Sequence, residues 1–467
     1  MDPWFDVPGA GGVDRPRWLR QFAGALLAAF QTLWVRADVR AAVHNFGWLA
    51  VEKAVRLVLG VGVGFWVARH LGPTRLGTLG YCTALVTLLG FLPALGLDAI
   101  VRRDVLQQPG AAAELLASGW LLRLGAGGCT CAAVQLVAWG GWGLQGDEPR
   151  VLGVLGLVLL QPALLMPDLW LQAHLKAKWS VTAQLAALGV ASDLRVGLIL
   201  TNGSLAAFAL ATVAEMALGA AGAFWLAHAA GMRAPVAAAR RATMRRLLAE
   251  AWPLILASLA IIVYMKIDEV MLRHLAGPAA VGIYSAAAKL SEVWYFLPTA
   301  LAASVLPALL RVRERDPAAY ARRQQQYYDL SAAVAYALSV PVALAAPWLV
   351  RTAYGAEFTA AGPILAVHIW SSIFVFLGVA RGQWLVNEGL QTFYLAATLA
   401  GAVANVGLNF LLIPRWGGLG AAWATVVSYA LAAWLASYLH PAVRPTAVMQ
   451  TRALLIPLRA WTYLRPR

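Results

Sequence analysis

"WPLILASLAIIVYMKIDEVML", residues 252–272, is almost wholly apolar for 14 positions and then places Lys266, Asp268 and Glu269 within four. One charge at the centre of a membrane helix costs at least ~2.5 kcal/mol. A chain with three such charges either leaves the bilayer there or keeps a polar compartment inside it. Composition says which solvent applies. Hydrophobic residues make up 61% of the 467, charged residues 13%, and the mean hydropathy is +0.67, whereas an ordinary soluble domain is about half apolar and a quarter charged. The chain lives in lipid, and its unit is a spanning helix of ~20 residues.

Twelve windows of that length follow, roughly 46–67, 76–97, 114–139, 151–171, 180–201, 204–228, 250–274, 280–309, 331–350, 359–386, 391–413 and 417–439. Each is closed by a short Gly-, Pro- or Arg-rich break. They predict an all-α integral membrane protein of twelve helices. Residues 1–45 form a tail holding "FAGALLAAFQTLWV" (22–35) behind Arg15, Arg17 and Arg20. That stretch is short for a span and lacks a clear small-residue cleavage site, so it reads as an interfacial helix rather than a signal-peptide core.

With both termini on one side, the segments facing that side hold 25 of the 37 lysines and arginines, including the runs at 233–246 and 311–323, Arg381 and the C-terminal arginines. The other side holds six: Arg69, Arg75, Arg150, Arg273, Arg351 and Arg415. Both termini are therefore expected in the cytoplasm. The net charge of +15 follows from this topology. The basic runs suit anionic membrane lipids, and nothing in them has the form of a nucleic-acid recognition fold.

Six cations remain inside spans, Lys53, Arg56, Arg123, Arg195, Lys266 and Lys289, with the acids Glu52, Asp98, Asp168, Asp193, Glu215, Asp268, Glu269 and Glu292. At ~1.5 Å of rise per residue, Arg56, Arg123, Glu215, Lys289 and Glu292 fall about 14 to 18 Å into their spans, near the midplane of a ~30 Å core. Lys266 with Glu269 and Lys289 with Glu292 are i, i+3 neighbours that fit simple ion pairs fixing helix register. Four spans with charges at one depth point further, to a shared polar cavity. On a helix wheel Asp268 lies about 200° from Lys266 and Glu269 about 60°. Asp268 should then face a neighbouring helix, with Lys289 as candidate partner.

An internal repeat locates that cavity. "GPTRLG" (72–77) recurs as "GPAAVG" (277–282), and "FLP" (91–93) recurs at 296–298, both at an offset of 205. Because the offset covers six spans, the halves share one topology, related by an axis along the membrane normal. Each GPxxxG lies between spans, where Gly closes one helix and Pro starts the next. The expected organisation is a six-helix lobe at 46–230, a basic amphipathic linker at 231–249, a second six-helix lobe at 250–440 and a basic cytoplasmic tail at 441–467.

"WVARHLGPTRLGTLGY" (66–81), "ALGLDAIVRRDVL" (94–106) and above all "KIDEVMLRHLAGPAAVGIYSAAAKLSEVWYFLPTALAASVLPAL" (266–309) resemble the Wzx-type O-antigen and exopolysaccharide flippases of the multidrug/oligosaccharidyl-lipid/polysaccharide exporter (MOP) superfamily. The resemblance covers roughly residues 45–440. It implies a two-lobed transporter with a V-shaped central cavity carrying cations, in the bacterial inner membrane. The implied substrate is an undecaprenyl-pyrophosphate-linked oligosaccharide moved from the cytoplasmic to the periplasmic leaflet. Candidate partners are that lipid and the polymerase and chain-length regulator of the same pathway.

The residues suit such a cargo, since moving a pyrophosphate through hydrocarbon requires fixed cations in place of its water. Arg56, Arg123, Lys266 and Lys289 are the candidate substrate-binding residues, with Asp268, Glu269, Glu292 and Glu215 as coupling or charge-balancing groups. A drug or organic-cation exporter of the same superfamily would have the same lobes around an acidic cavity. A membrane glycan polymerase or ligase would need a large outer loop, which is absent here. "GVGVG" (60–64) lies inside a span and reads as small-residue helix packing rather than a dinucleotide loop. Cys82, Cys129, Cys131 and the seven histidines form no metal-ligand spacing, so neither a metal nor a cofactor is expected.

Overall fold

A computed structural model describes residues 37–141, 143–313 and 316–459. The stretch 22–35 lies outside the described residues. Among the described residues all regular structure is helical: α1 (Ala37–Leu89), α2 (Phe91–Ala94), α3 (Leu97–Gln107), α4 (Ala112–Trp139), α5 (Glu148–Gly156), α6 (Gln161–Leu164), α7 (Met166–Ala173), α8 (Ala177–Leu200), α9 (Leu205–Ala229), α10 (Arg241–Ala276), α11 (Pro278–Glu292), α12 (Phe296–Arg313), α13 (Pro317–Tyr354), α14 (Ala361–His368), α15 (Ser371–Asn387), α16 (Gln391–Ala433) and α17 (Arg444–Leu454). Helix is what lipid dictates, because it satisfies backbone polar groups within the segment. Eight stretches of the described residues are long and apolar enough to cross a membrane, or nine if the bent Arg241–Ala276 pair is one span.

The punctuation works as local chemistry requires. Gly72 breaks α1 at φ 68°, ψ 173°, and Gly277 separates α10 from α11 at φ 86°, ψ 173°. These are nearly one conformation, open to glycine and strained for other residues. The proline that follows each starts the next helix, where its missing N–H costs nothing. Asp316 caps α13 by accepting from Ala319 N at 2.9 Å, and Ser204 caps α9 by accepting from Ala207 N at 3.3 Å.

The two repeats meet. A Cβ on Gly77 would lie 1.7 Å from the Pro278 carbonyl oxygen, and one on Gly282 would lie 2.0 Å from the Pro73 carbonyl oxygen. The second half of α1 and α11 thus cross backbone to backbone, each repeat's last glycine on the other's proline. Beside this crossing, Arg273 Nε pairs with Glu148 Oε1 at 2.5 Å and Tyr81 Oη lies 3.4 Å from His274 Nε2. Arg69 reaches the other way, donating to the carbonyls of Thr352 and Ala353. The largest buried apolar cluster lies around these contacts, with Leu71, Tyr81, Val151, Leu272, Val281, Tyr284, Phe358 and Leu365 at its centre. This end of the bundle is closed by both halves of the chain.

Four readings of the sequence need correction. The glycines of "GVGVG" pack on nothing, since a Cβ at Gly60, Gly62 or Gly64 would meet no atom within 4 Å. Arg381, counted with the cations facing the termini's side, is inside α15 and buried. Residues 241–249 of the expected linker are the first turns of α10. The tail beyond 440 includes α17, which packs on α13, with Ala447, Gln450 and Ala453 buried.

Candidate functional site

Two ion-pair clusters lie part-way along the helices. In the N-terminal half, Arg56 on α1 pairs with Glu215 on α9 at 2.9 Å and with Glu52, one turn earlier, at 3.3 Å. Glu215 takes a second arginine, Arg195 on α8, at 2.9 Å, and Arg195 also lies 3.3 Å from Thr212 Oγ1. One carboxylate between two guanidiniums holds α1, α8 and α9 together, yet Arg56 stays 36% exposed.

In the C-terminal half, Lys266 on α10 lies between Glu269, one turn along the same helix, at 3.3 Å and Glu292 at the end of α11 at 3.5 Å. Glu269 also accepts from Ser285 at 2.9 Å. Lys266 and Glu292 are each 25% exposed. Lys289, one turn before Glu292, is exposed and makes no ion pair among the described residues.

Asp268 turns away from this face, but not onto Lys289. It is 2% exposed and accepts from Tyr284 Oη of α11 at 2.7 Å and from Asn409 Nδ2 of α16 at 2.5 Å, with Thr425 Oγ1 2.6 Å away. Asn409 also donates to Asn405 at 3.1 Å, and Asn405 donates to Ser428 at 3.3 Å. Satisfied on both oxygens, Asp268 ties α10 to α11 and α16. Asp268→Ala strands three buried polar groups at once. We expect it to lower unfolding stability by ~3–5 kcal/mol, read as a fall in the thermal midpoint in detergent, while Glu292→Gln, at a partly exposed side chain, changes stability far less.

Arg123 lies apart from both clusters. It is 2% exposed, pairs with Asp98 at 2.6 Å and donates to the carbonyls of Ala94 and Pro162, each at 3.1 Å. Those partners fix it as a clamp between α2, α4 and α6. Its depth in the span matched the cluster residues, but depth says nothing about direction around the helix.

A family model described as polysaccharide biosynthesis protein matches residues 42–313, more than half of the chain. The chain belongs to the polysaccharide biosynthesis protein family. Its match to that family takes in α1 to α12 and therefore both ion-pair clusters. Over 187 residues this family member is 31% identical to the probable flippase AglR of Haloferax volcanii, a match that spans 37% of each chain. The chain thus spans well under half the length of that curated relative.

Solved structures extend the likeness in fold. One described as lipid II flippase MurJ in an inward closed conformation aligns with TM-score 0.68 and 11% identity over 91% of this chain and 94% of that one. An inward-facing multidrug resistance MATE family transporter of the MOP superfamily aligns with TM-score 0.65 and 14% identity over 90% of this chain and all of that one. A MOP superfamily transporter from Pyrococcus furiosus, described as having a binding pocket of reverse polarity, aligns with TM-score 0.59 and 15% identity over 91% and 96%. This polysaccharide biosynthesis family member is thus a multi-pass, all-helical membrane protein with the MOP transporter fold. Sequence reasoning noted Arg195 as an in-span cation but gave it no role. It passed over Tyr284, Asn405, Asn409 and Thr425, whose only signal was polarity at i, i+4 spacing in a hydrophobic window.

Proposed function

We propose that this protein is a flippase that carries a lipid-linked oligosaccharide between membrane leaflets during polysaccharide synthesis, by alternating access and without a chemical step. The observation that supports the reading is a pair of partly exposed ion-pair clusters inside the spans, Arg56 and Arg195 on Glu215 in one half and Lys266 between Glu269 and Glu292 in the other, with Lys289 exposed beside the second. Partly exposed charges at that depth border water rather than acyl chains, and cations on both halves suit a ligand with a concentrated negative charge. A polyprenyl pyrophosphate, undecaprenyl in a bacterium, is such a ligand, and arginine and lysine replace its hydration. Arg56 and Lys266 come to it already paired with acids. Glu215, Glu269 and Glu292 then act as exchange partners that let the cations release the phosphate.

The reading includes twelve spans in two lobes, 46–230 and 250–440, joined by residues 231–249, with the basic tail at 441–467. At ~1.5 Å per residue, the 53 residues of α1 would run ~80 Å unbroken, far beyond a ~30 Å core, so the break at Gly72 divides two crossings. Gly417 does the same in α16, where φ is 54°. The excess of lysine and arginine at the opposite end puts both termini in the cytoplasm of the inner membrane. The contacts around Arg69 and Arg273 then close the periplasmic side, leaving the clusters open to the cytoplasm. The polymerase and chain-length regulator of the pathway are partners only within this reading.

The test is reconstitution into liposomes with a labelled polyprenyl-pyrophosphate oligosaccharide in the membrane. Transfer between leaflets, lost in Lys289→Gln, is the expected result. Equal transfer in protein-free liposomes, or transport of an organic cation in its place, would overturn the reading. A cysteine at Arg313 should stay unlabelled by an impermeant thiol reagent in intact cells.

A further inference from the structure

Arg381, on α15, is 2% exposed. Its Nη1 donates to Ser437 Oγ at 2.8 Å and its Nε is buried without a partner. No carboxylate pairs with it among the described residues. The titratable groups around it are the phenols of Tyr328, Tyr394 and Tyr264, uncharged at neutral pH, and the Phe393 ring lies 6.0 Å from its guanidinium carbon. A guanidinium does not shed its proton to escape burial, and an aromatic face restores only a small part of its lost hydration. Arg123, equally buried, shows how this chain compensates such a charge elsewhere, with a carboxylate and two carbonyls. Arg381 has one neutral hydroxyl.

The surroundings supply further donors. Ser437 accepts from Arg381, so its own hydrogen is free to donate. The hydroxyls of Tyr264 and Tyr394 have no hydrogen-bond partner among the described residues, and Tyr264 is held in place by stacking on Tyr429 with ring centres 4.1 Å apart. Arg381 lies six residues before the end of α15 at Asn387, about 9 Å along the axis. That end carries the Arg313–Glu388 pair at 2.9 Å and the basic run 311–323. A negatively charged ligand arriving there meets a rising positive potential that ends on an uncompensated guanidinium.

We propose that Arg381, Ser437, Tyr264 and Tyr394 form a binding site for a phosphate oxyanion, separate from the clusters at Arg56 and Lys266. A lipid headgroup and a soluble phosphate share this chemistry. Arginine's fork takes two oxygens of one phosphate, the Ser437 hydroxyl beside it donates to a third, and the neighbouring phenols supply further donors.

The test uses the full chain in neutral detergent, following the thermal unfolding midpoint with added phosphatidylglycerol or inorganic pyrophosphate and retained ligand by native mass spectrometry. At least one anion should raise the midpoint of the unsubstituted protein and of Lys266→Ala. The rise should be absent in Arg381→Met and weakened in Ser437→Ala and Tyr394→Phe, which keep the charge and report on the site if Arg381→Met does not fold. A response to phosphatidylglycerol alone assigns a lipid headgroup, and a response to pyrophosphate assigns a soluble or exposed phosphate. No rise with either anion, a rise unchanged in all three site variants, or a rise abolished by Lys266→Ala alone would overturn the proposal. Only the last of these outcomes, which would place the anion at the Lys266 cluster, bears on transport through the central clusters.

Discussion

Gly77→Ala is expected to prevent the protein from accumulating as a folded species. The added Cβ would lie 1.7 Å from the Pro278 carbonyl oxygen and 2.8 Å from Gly282 N, both backbone atoms of a helix that is itself locked in place. A flexible side chain could swing aside; a backbone carbonyl cannot. Overpacking of a well-packed site typically costs ~1–3 kcal/mol, and this contact belongs at or above the top of that range, a large part of the ~5–15 kcal/mol that holds a typical protein folded. Gly282→Ala should behave alike, for its Cβ meets Pro73 O at 2.0 Å. Gly62→Ala in the same α1 meets nothing within 4 Å and should be neutral or slightly stabilising. Fluorescence size-exclusion profiles and thermal midpoints of the three variants read the contrast directly. Equal behaviour of Gly77→Ala and Gly62→Ala would show that the crossing is loose.

Lys266→Ala is expected to reduce transport by about ten- to a hundred-fold, the loss of one charge-assisted bond worth ~1.5–3 kcal/mol, while leaving a folded protein in the membrane. Glu269 keeps Ser285 as a donor, and Glu292 is open enough to recover water, so neither is stranded as the partners of Asp268 would be. Lys266→Arg should retain part of the activity, because the charge stays while its shape changes. The measurement is surface polysaccharide or leaflet transfer, normalised to protein in the membrane. Normal transport in Lys266→Ala, or disappearance of that protein from the membrane, would make the lysine a register-fixing pin.

Much of this was legible beforehand, and the reason is lipid. Hydrocarbon demands long apolar helices, so the spans and their breaks stand out, and Gly-Pro marks the joints because few other residues allow that backbone. Lys266 and Glu269 share a helix face by spacing alone. What a membrane sequence conceals is which way a side chain points. Helices here are apolar on all sides, so the usual contrast between a core face and a solvent face is weak. That is why Arg123, at the same depth as Arg56, was grouped with the open clusters although its partners lie in protein. It is also why Arg381, six residues from a helix end, counts by sequence with the cations facing the termini's side, although it is buried in protein. "GVGVG" misled for the opposite reason, as small residues suit helix packing but do not require it. Uncharged Asn409 and Thr425 raised no alarm, yet they hold the buried acid.

The reciprocal crossing of the two GPxxxG segments bears on the protein's ancestry. A contact in which the glycine of one copy rests on the proline of the other, and the converse, is the one two identical half-length chains would make about a two-fold axis. Such a contact works without a covalent link, so fusing two copies of one gene would have preserved it unchanged. The paired walls have since parted company. Where backbones touch, the copies still agree at Gly72 and Gly277, Pro73 and Pro278, Gly77 and Gly282. At the ion-pair clusters, one half carries Arg56, Arg195 and Glu215, and the other Lys266, Lys289, Glu269 and Glu292. The two halves thus agree at the joint, where any side chain would collide with backbone, and differ at the charged clusters, where side chains have room to change.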